Sequence, residues 1–343
     1  MKGALVLALA VLAVSCSTGP DRSAVVAAIA DRALLPRLEE AATRLGEMSA
    51  AVDAFCESPS DTGLTRAQES WVEAKRAWER SEISVYYGPA TMLRTKSKVD
   101  FEPISPAGID DLVASDTVID FDYVDNRSAA SRRGLGAVEY ALYRPLAEAG
   151  DPRLCELTVS ASAVAAAATE ELREAWSGGT DPFRRTFTTT MTANDALSDV
   201  VGAQHETLTR QTLFELGAAL GVTAADPDPS ALVEGPAQMG VNRLLAQLDG
   251  IEETMSAGGD TSLIELIRSR SADVAETIET TLANGIAGLE SVDGPLSAAV
   301  TEDPRLMNEV LDDLSRLRDT INVDVVSLLD LTLGFSDSDG DTG

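Results

Sequence analysis

Between residues 304 and 331, Leu306, Val310, Leu314, Leu317, Ile321, Val325 and Leu328 recur every three or four positions. That spacing draws one apolar stripe along a helix. A stripe of this length has to be covered by other helices, so it commits the segment to a bundle. The same rhythm marks a first helix over residues 24–55, through Val26, Ile29, Leu34, Leu38, Leu45, Met48, Val52 and Phe55, which Pro36 should kink or restart. A second helix follows the turn Ser58-Pro59-Ser60, capped by Asp61 or Thr62, with Trp71, Ala74, Trp78 and Glu82 on adjacent rows, and stops at Gly88-Pro89. Further helical patterns cover 129–143, 155–176, 184–220, 231–255 and 261–289. Residues 98–127, with Pro103, Pro106 and Gly108, read as an extended excursion with short helical turns. No strand-like alternation of useful length occurs, and only 4% of residues are aromatic, which also favours helices over sandwiches.

The glycine pair Gly178-Gly179, followed by Asp181-Pro182, ends one helix and opens another. The expected fold is all-α: two antiparallel helical bundles, residues 24–179 and 180–343. Ahead of them lies a secretory leader: Lys2, an apolar run from Ala4 to Val14, then Ser15 and Cys16. That run is too short to span a bilayer as a helix. Ala13-Val14-Ser15-Cys16 looks like a bacterial lipoprotein processing site, giving a signal peptide over 1–15, lipidation at Cys16 and a tether over 16–23; an ordinary leader with an incidental cysteine is the alternative. The net charge of −29 repels phosphate backbones and argues against nucleic acid as a partner. Two further cysteines remain, Cys56 and Cys155. In an exported chain an isolated pair favours a disulfide joining two helix ends, whereas a cysteine metal site lacks histidine partners.

The segment Arg133-Gly134-Leu135-Gly136-Ala137-Val138-Glu139-Tyr140 resembles the Gly-x-His-x-x-Glu signature of the imelysin family, also called peptidase family M75. Gly134 and Glu139 fit the pattern; Gly136 stands where the histidine belongs. The resemblance extends to Trp71 through Glu82 followed by Gly88-Pro89, to Pro36, to Cys56 with Pro59, to Cys155 with Trp176, and to the tail from Leu331 to Asp341. It implies a two-domain helical fold, an envelope location, a role linked to iron uptake and a site where the bundles meet.

The chemistry available at such a site is limited by histidine. A hydrolytic zinc centre takes three protein ligands, mainly histidine and carboxylates, plus a water. This chain has one histidine, His205, in a helical pattern beside Glu206. Zinc peptidase motifs are therefore excluded, and no serine or threonine is paired with a base. Iron or another divalent cation could still be held by oxygen ligands. Glu139, on an apolar helix face, is the surviving half of the signature; Glu79 and Glu82, three apart, share a face and could join it. Glu139 could equally be a buried, hydrogen-bonded brace, with Tyr86 or Tyr87 approaching it. Asp337, Asp339 and Asp341 begin like a calcium loop but lack its twelfth-position glutamate. The sequence thus reads as a lipid-anchored, periplasm-facing envelope protein of the outer membrane, non-catalytic, binding a metal, ligand or protein partner of an iron-uptake system. The alternatives are an M75-type metallopeptidase or a metal-free adaptor that holds a partner in the cleft.

Overall fold

The computed structural model describes residues 19–81 and 92–333. The leader with Cys16, then Glu82, Tyr86, Tyr87 and Gly88-Pro89, and the aspartate-rich tail lie outside the described residues. Among the described residues the chain is helical and contains no strand. It begins with α1 (Arg22–Ile29), α2 (Leu35–Glu57) and α3 (Asp61–Ser81), continues through the short α4 (Met92–Val99), α5 (Pro106–Ala114) and α6 (Phe121–Asn126), and reaches α7 (Gly134–Leu142), α8 (Leu146–Ala149) and the long α9 (Pro152–Ser177). After Gly178 come α10 (Phe183–Arg185), α11 (Ala193–Thr209), α12 (Leu216–Ala219), α13 (Gly240–Ser256), α14 (Leu263–Arg268), α15 (Ala272–Glu290), α16 (Leu296–Glu302), α17 (Pro304–Asp319) and α18 (Val326–Leu329).

Helix α2 packs between α3 and α9, with α7 against α3 and α9; in the second half α15 packs on α17 and α13, and α11 on α17. The halves meet where α13 lies on α3 and where α1 lies on α11 and α14. One apolar core links them: Leu38, Trp78, Leu157, Leu248 and Leu314 are all buried in the same cluster. Cys56 and Cys155 form the expected disulfide, tying the end of α2 to the start of α9 across a sequence separation of 99 residues.

The departures from expectation are local. Pro36 marks a restart, as expected: the path runs from α1 through a π-turn, Ala30–Leu34, into α2, whose first turn holds the proline. The cap of α3 is Ser60, whose hydroxyl accepts from Gly63 N at 3.2 Å, one residue earlier than Asp61. The stretch 98–127 contains two capped helices rather than scattered turns, because Ser105 accepts from Gly108 N and Asp120 from Tyr123 N. The pattern over 184–220 is cut at Met191, where Thr192 caps α11 through Asp195 N. The pattern from 231 becomes an α-helix only at Gly240, since Pro236 lacks a backbone donor. The apolar stripe over 304–331 holds as far as Leu329, with a π-turn at Thr320–Val325.

The contact of α13 with α3 is polar where a bundle seam is normally apolar. Arg243, Gln247, Gly250 and Thr254 lie along one face of α13. A Cβ at Gly250 would sit 2.6 Å from the Arg80 carbonyl oxygen, so only glycine allows this approach. Arg37 stitches the seam: it donates to the Gly250 carbonyl at 2.9 Å, the Arg80 carbonyl at 3.2 Å and Thr254 Oγ1 at 2.7 Å.

Candidate functional site

A cleft of about 950 Å³ opens where α3 and α7 face α13, the π-turn Arg210–Glu215 and the segment 230–236. At its floor stands Lys75, which lies on the buried face of α3 with Trp71 and Trp78 and is 5% exposed. Its Nζ is 2.9 Å from Glu79 Oε1 and 2.7 Å from Asp100 Oδ2. Burial opposes the ammonium charge, but Asp100 and Glu79 more than offset it and push the pKa above its ordinary value. The second Glu79 oxygen accepts from Gln247 Nε2 at 2.6 Å, and Gln247 Oε1 accepts from Gln211 Nε2 at 2.6 Å. Beside this chain the buried Arg243 donates through Nη2 to Glu215.

Glu139 is positioned by the way α7 starts. Gly134 has φ +73°, and a Cβ there would lie 2.5 Å from the Val99 carbonyl oxygen; the left-handed conformation and the contact both demand glycine. Trp71 Nε1 donates to the Leu135 carbonyl at 2.9 Å and fixes the first turn. One turn on, Glu139 lines the cleft at 7% exposure, and its Oε1 accepts from Ala237 N at 2.9 Å. The chain passes so close above it that a Cβ at Gly235 would be 2.2 Å from Glu139 Oε1. Burial raises the Glu139 pKa, while the Ala237 N–H and Lys75 oppose the rise. Glu102 faces the same space and keeps an exposed edge. The cleft walls nevertheless desolvate its carboxyl and raise its pKa, against the pull of Lys75 and with the help of Glu139 and Glu79.

At Gly136 the volume of the absent histidine is already filled. A Cβ at that position would be 2.4 Å from Ile104 Cγ2 and 3.5 Å from Glu102 Oε1. His205 is half-buried on α11, 3.3 Å through Nε2 from Thr209 Oγ1, and does not line the cleft.

Of the residues expected to hold a metal, Glu79 and Glu139 line the same cleft, and Glu82 lies outside the described residues. Within the described residues Glu79 and Glu139 are partnered by the protein's own groups. Both Glu79 oxygens are engaged, one by the Lys75 ammonium. Glu139 accepts a backbone N–H. Among the described residues no three His, Cys, Asp or Glu side chains gather closely enough to hold a cation. Sequence reading passed over Lys75, Asp100, Glu102, Gln247, Arg243 and Glu215. Lys75 did leave a signal, as a lysine one residue after Ala74 and three before Trp78 on an inward face. Asp100 and Glu102 sit in a stretch without periodicity and left none.

The fold and site define a class: an all-helical protein of packed bundles with a charged cleft between α3, α7 and α13. The sequence model of the imelysin family (peptidase M75) matches residues 34–322, and the chain belongs to that family. No curated protein matches it. Among solved structures, an imelysin-like protein from Psychrobacter arcticum 273-4 is similar with a TM-score of 0.74 at 19% identity, over 93% of this chain and 100% of that one. A "putative iron-regulated protein A precursor" from Parabacteroides distasonis ATCC 8503 is similar with a TM-score of 0.75 at 18% identity, over 91% of this chain and 96% of that one. These likenesses establish the shared fold.

Proposed function

We propose that this chain is a non-catalytic binding protein of the cell envelope, lipid-anchored at Cys16, whose cleft holds a ligand or partner in a metal-acquisition system. The observation that carries the reading is the Lys75 ammonium, placed between Glu79 and Asp100. It supplies internally the positive charge that a metal would bring to these carboxylates. Ile104 packed into the space beside Gly136 supports the same reading, because a restored histidine side chain would meet a full cavity. The acquisition role rests on family membership and on the iron-regulated description of one structural neighbour. The envelope location rests on the leader and Cys16.

Hydrolysis by this chain would need a general base beside an activated water. His205 is outside the cleft, and Glu79 and Glu139 are committed to Lys75, Gln247 and Ala237. The test is turnover of a fluorogenic peptide library by the full chain, with added zinc or ferrous iron and with chelator. The expected result is no chelator-sensitive cleavage. Turnover that requires metal and is lost in Glu139→Ala would overturn the reading.

A further inference from the structure

Two of the cleft's carboxylates have no cation of their own. Six carboxylates line the cleft against four cations. Lys75 meets Glu79 and Asp100, and Arg243 meets Glu215. Glu234 accepts from Leu296 N at 2.8 Å and from Ser297 N at 3.0 Å. Lys96 and Arg210, the other cations of the lining, have partners elsewhere. Glu102 and Glu139 remain. Glu102 keeps an exposed edge and makes no hydrogen bond or ion pair among the described residues. Glu139 is only 7% exposed, and just its Oε1 is engaged, by Ala237 N. Its Oε2 accepts nothing from the described residues and is not sealed from solvent. The two carboxylates share one face of α7: Glu102 Oε1 lies 3.5 Å from where a Cβ at Gly136 would be, and Gly136 precedes Glu139 by about one helical turn. With no third His, Cys, Asp or Glu gathered beside them among the described residues, they are few for a metal ion but suit the N–H donors of an ammonium. Phe101, next to Glu102, is 38% exposed, and Phe214, on the π-turn of the opposite wall, is 66% exposed. Open aromatic faces attract cations, and a cleft of about 950 Å³ is of the size usual for small ligands.

We propose that this cleft binds a small organic cation, a primary ammonium on an apolar body of aromatic size, the ammonium donating to Glu102 and to Glu139 Oε2 and the body lying against Phe101 and Phe214. The inference rests on the reading of the cleft as a binding site and names the class of ligand. Lys75 does not bar such a ligand, because its charge is outnumbered by the two carboxylates that hold it. Burial raises the pKa of both Glu102 and Glu139 even against the pull of Lys75. A cation set between them favours their charged forms and displaces any proton they hold.

The test is calorimetric titration of the full chain, at physiological salt, with 2-phenylethylammonium. Its charge-reversed counterpart is 3-phenylpropionate, and ethylammonium carries the charge without the ring. The expected result is saturable one-site binding of phenylethylammonium, with phenylpropionate and ethylammonium each at least about tenfold weaker. Glu102→Gln and Glu139→Gln should each weaken it about tenfold, the loss of a charged hydrogen bond. Both variants keep the fold within reach: Glu102 is at an exposed edge, and glutamine at 139 still accepts from Ala237 N. Phe214→Ala should cost about threefold. Undiminished binding by the Glu102/Glu139 double glutamine variant or by Phe214→Ala overturns the proposal. Heats that are equal for the two ammonium ions and persist in the double variant are those of counterions on an acidic surface, and overturn it too. Tighter binding of phenylpropionate overturns the cation while leaving the cleft a binding site. No saturable binding of any probe also overturns the proposal, and leaves the non-catalytic reading to its own hydrolysis assay.

Discussion

Lys75→Met removes the cation held between Glu79 and Asp100 and little else, since methionine fills most of the lysine stem's volume. Lys75, Glu79 and Asp100 are 5%, 3% and 9% exposed, so two buried carboxylates lose an ammonium lying within 2.9 Å of each. Gln247 still donates to Glu79, but a neutral amide does not replace a full charge. Breaking a buried ion pair from one side costs about 3–5 kcal/mol, a large part of the roughly 5–15 kcal/mol that holds a domain folded. Urea unfolding followed by circular dichroism at pH 7 should show that loss. Lys75→Met with Glu79→Gln and Asp100→Asn should recover most of it, because replacing the whole buried ionic group is far less costly than orphaning one side. The sign with pH follows from the raised lysine pKa. The ammonium's contribution is complete below the unfolded value of 10.5 and is lost as pH rises through the higher folded value. A loss under about 1 kcal/mol, well short of the buried-pair range, or a triple variant as weak as Lys75→Met, would refute the claim that Lys75 neutralises these carboxylates.

Glu139 has a pKa above its ordinary 4.5, so its stabilising contribution is present below that value and fades as pH rises through the raised one. Glu139→Gln, which keeps the acceptor for Ala237 N, should therefore become progressively more stable than the parent as pH rises above 4.5, seen as a widening gap in melting temperature. Gly136→His should cost about 1–3 kcal/mol in denaturant unfolding by overpacking Ile104, and Ile104→Ala in the same chain should return part of it. Replacing Cys56 and Cys155 by serine opens a loop with a separation of 99 residues. Chain entropy predicts a loss of about 4–5 kcal/mol, measurable as the difference between oxidised and reduced unfolding midpoints in the parent and its absence in the variant.

The helical class, the long elements and the disulfide were legible because they depend on periodicity and on cysteine count, which are local or compositional. Leu306 through Leu328 gave α17 and α18 their buried face without any knowledge of what covers it. The interruptions were less legible. The π-turn before Pro36 and the break at Thr192 reflect competition between backbone donors and side-chain caps that periodicity does not weigh. Of the site, Glu139 was legible through the signature, and Glu79 through its helix face. The identity of the cation facing Glu79 was not, because Asp100 reaches Lys75 from a separate element and only packing brings α4 back to α3. Ile104 filling the space beside Gly136 likewise depends on a contact across more than thirty positions that no short pattern encodes.

The central claim is that the cleft carries its own cation and has no place for a metal at Glu139 and Glu79. Calorimetric titration of ferrous iron and of zinc into the full chain, with Glu139→Ala alongside, tests it most directly. The account predicts only weak, non-saturating heats from the acidic surface, the same in both proteins. Stoichiometric, saturable binding in the parent that disappears in Glu139→Ala would contradict it.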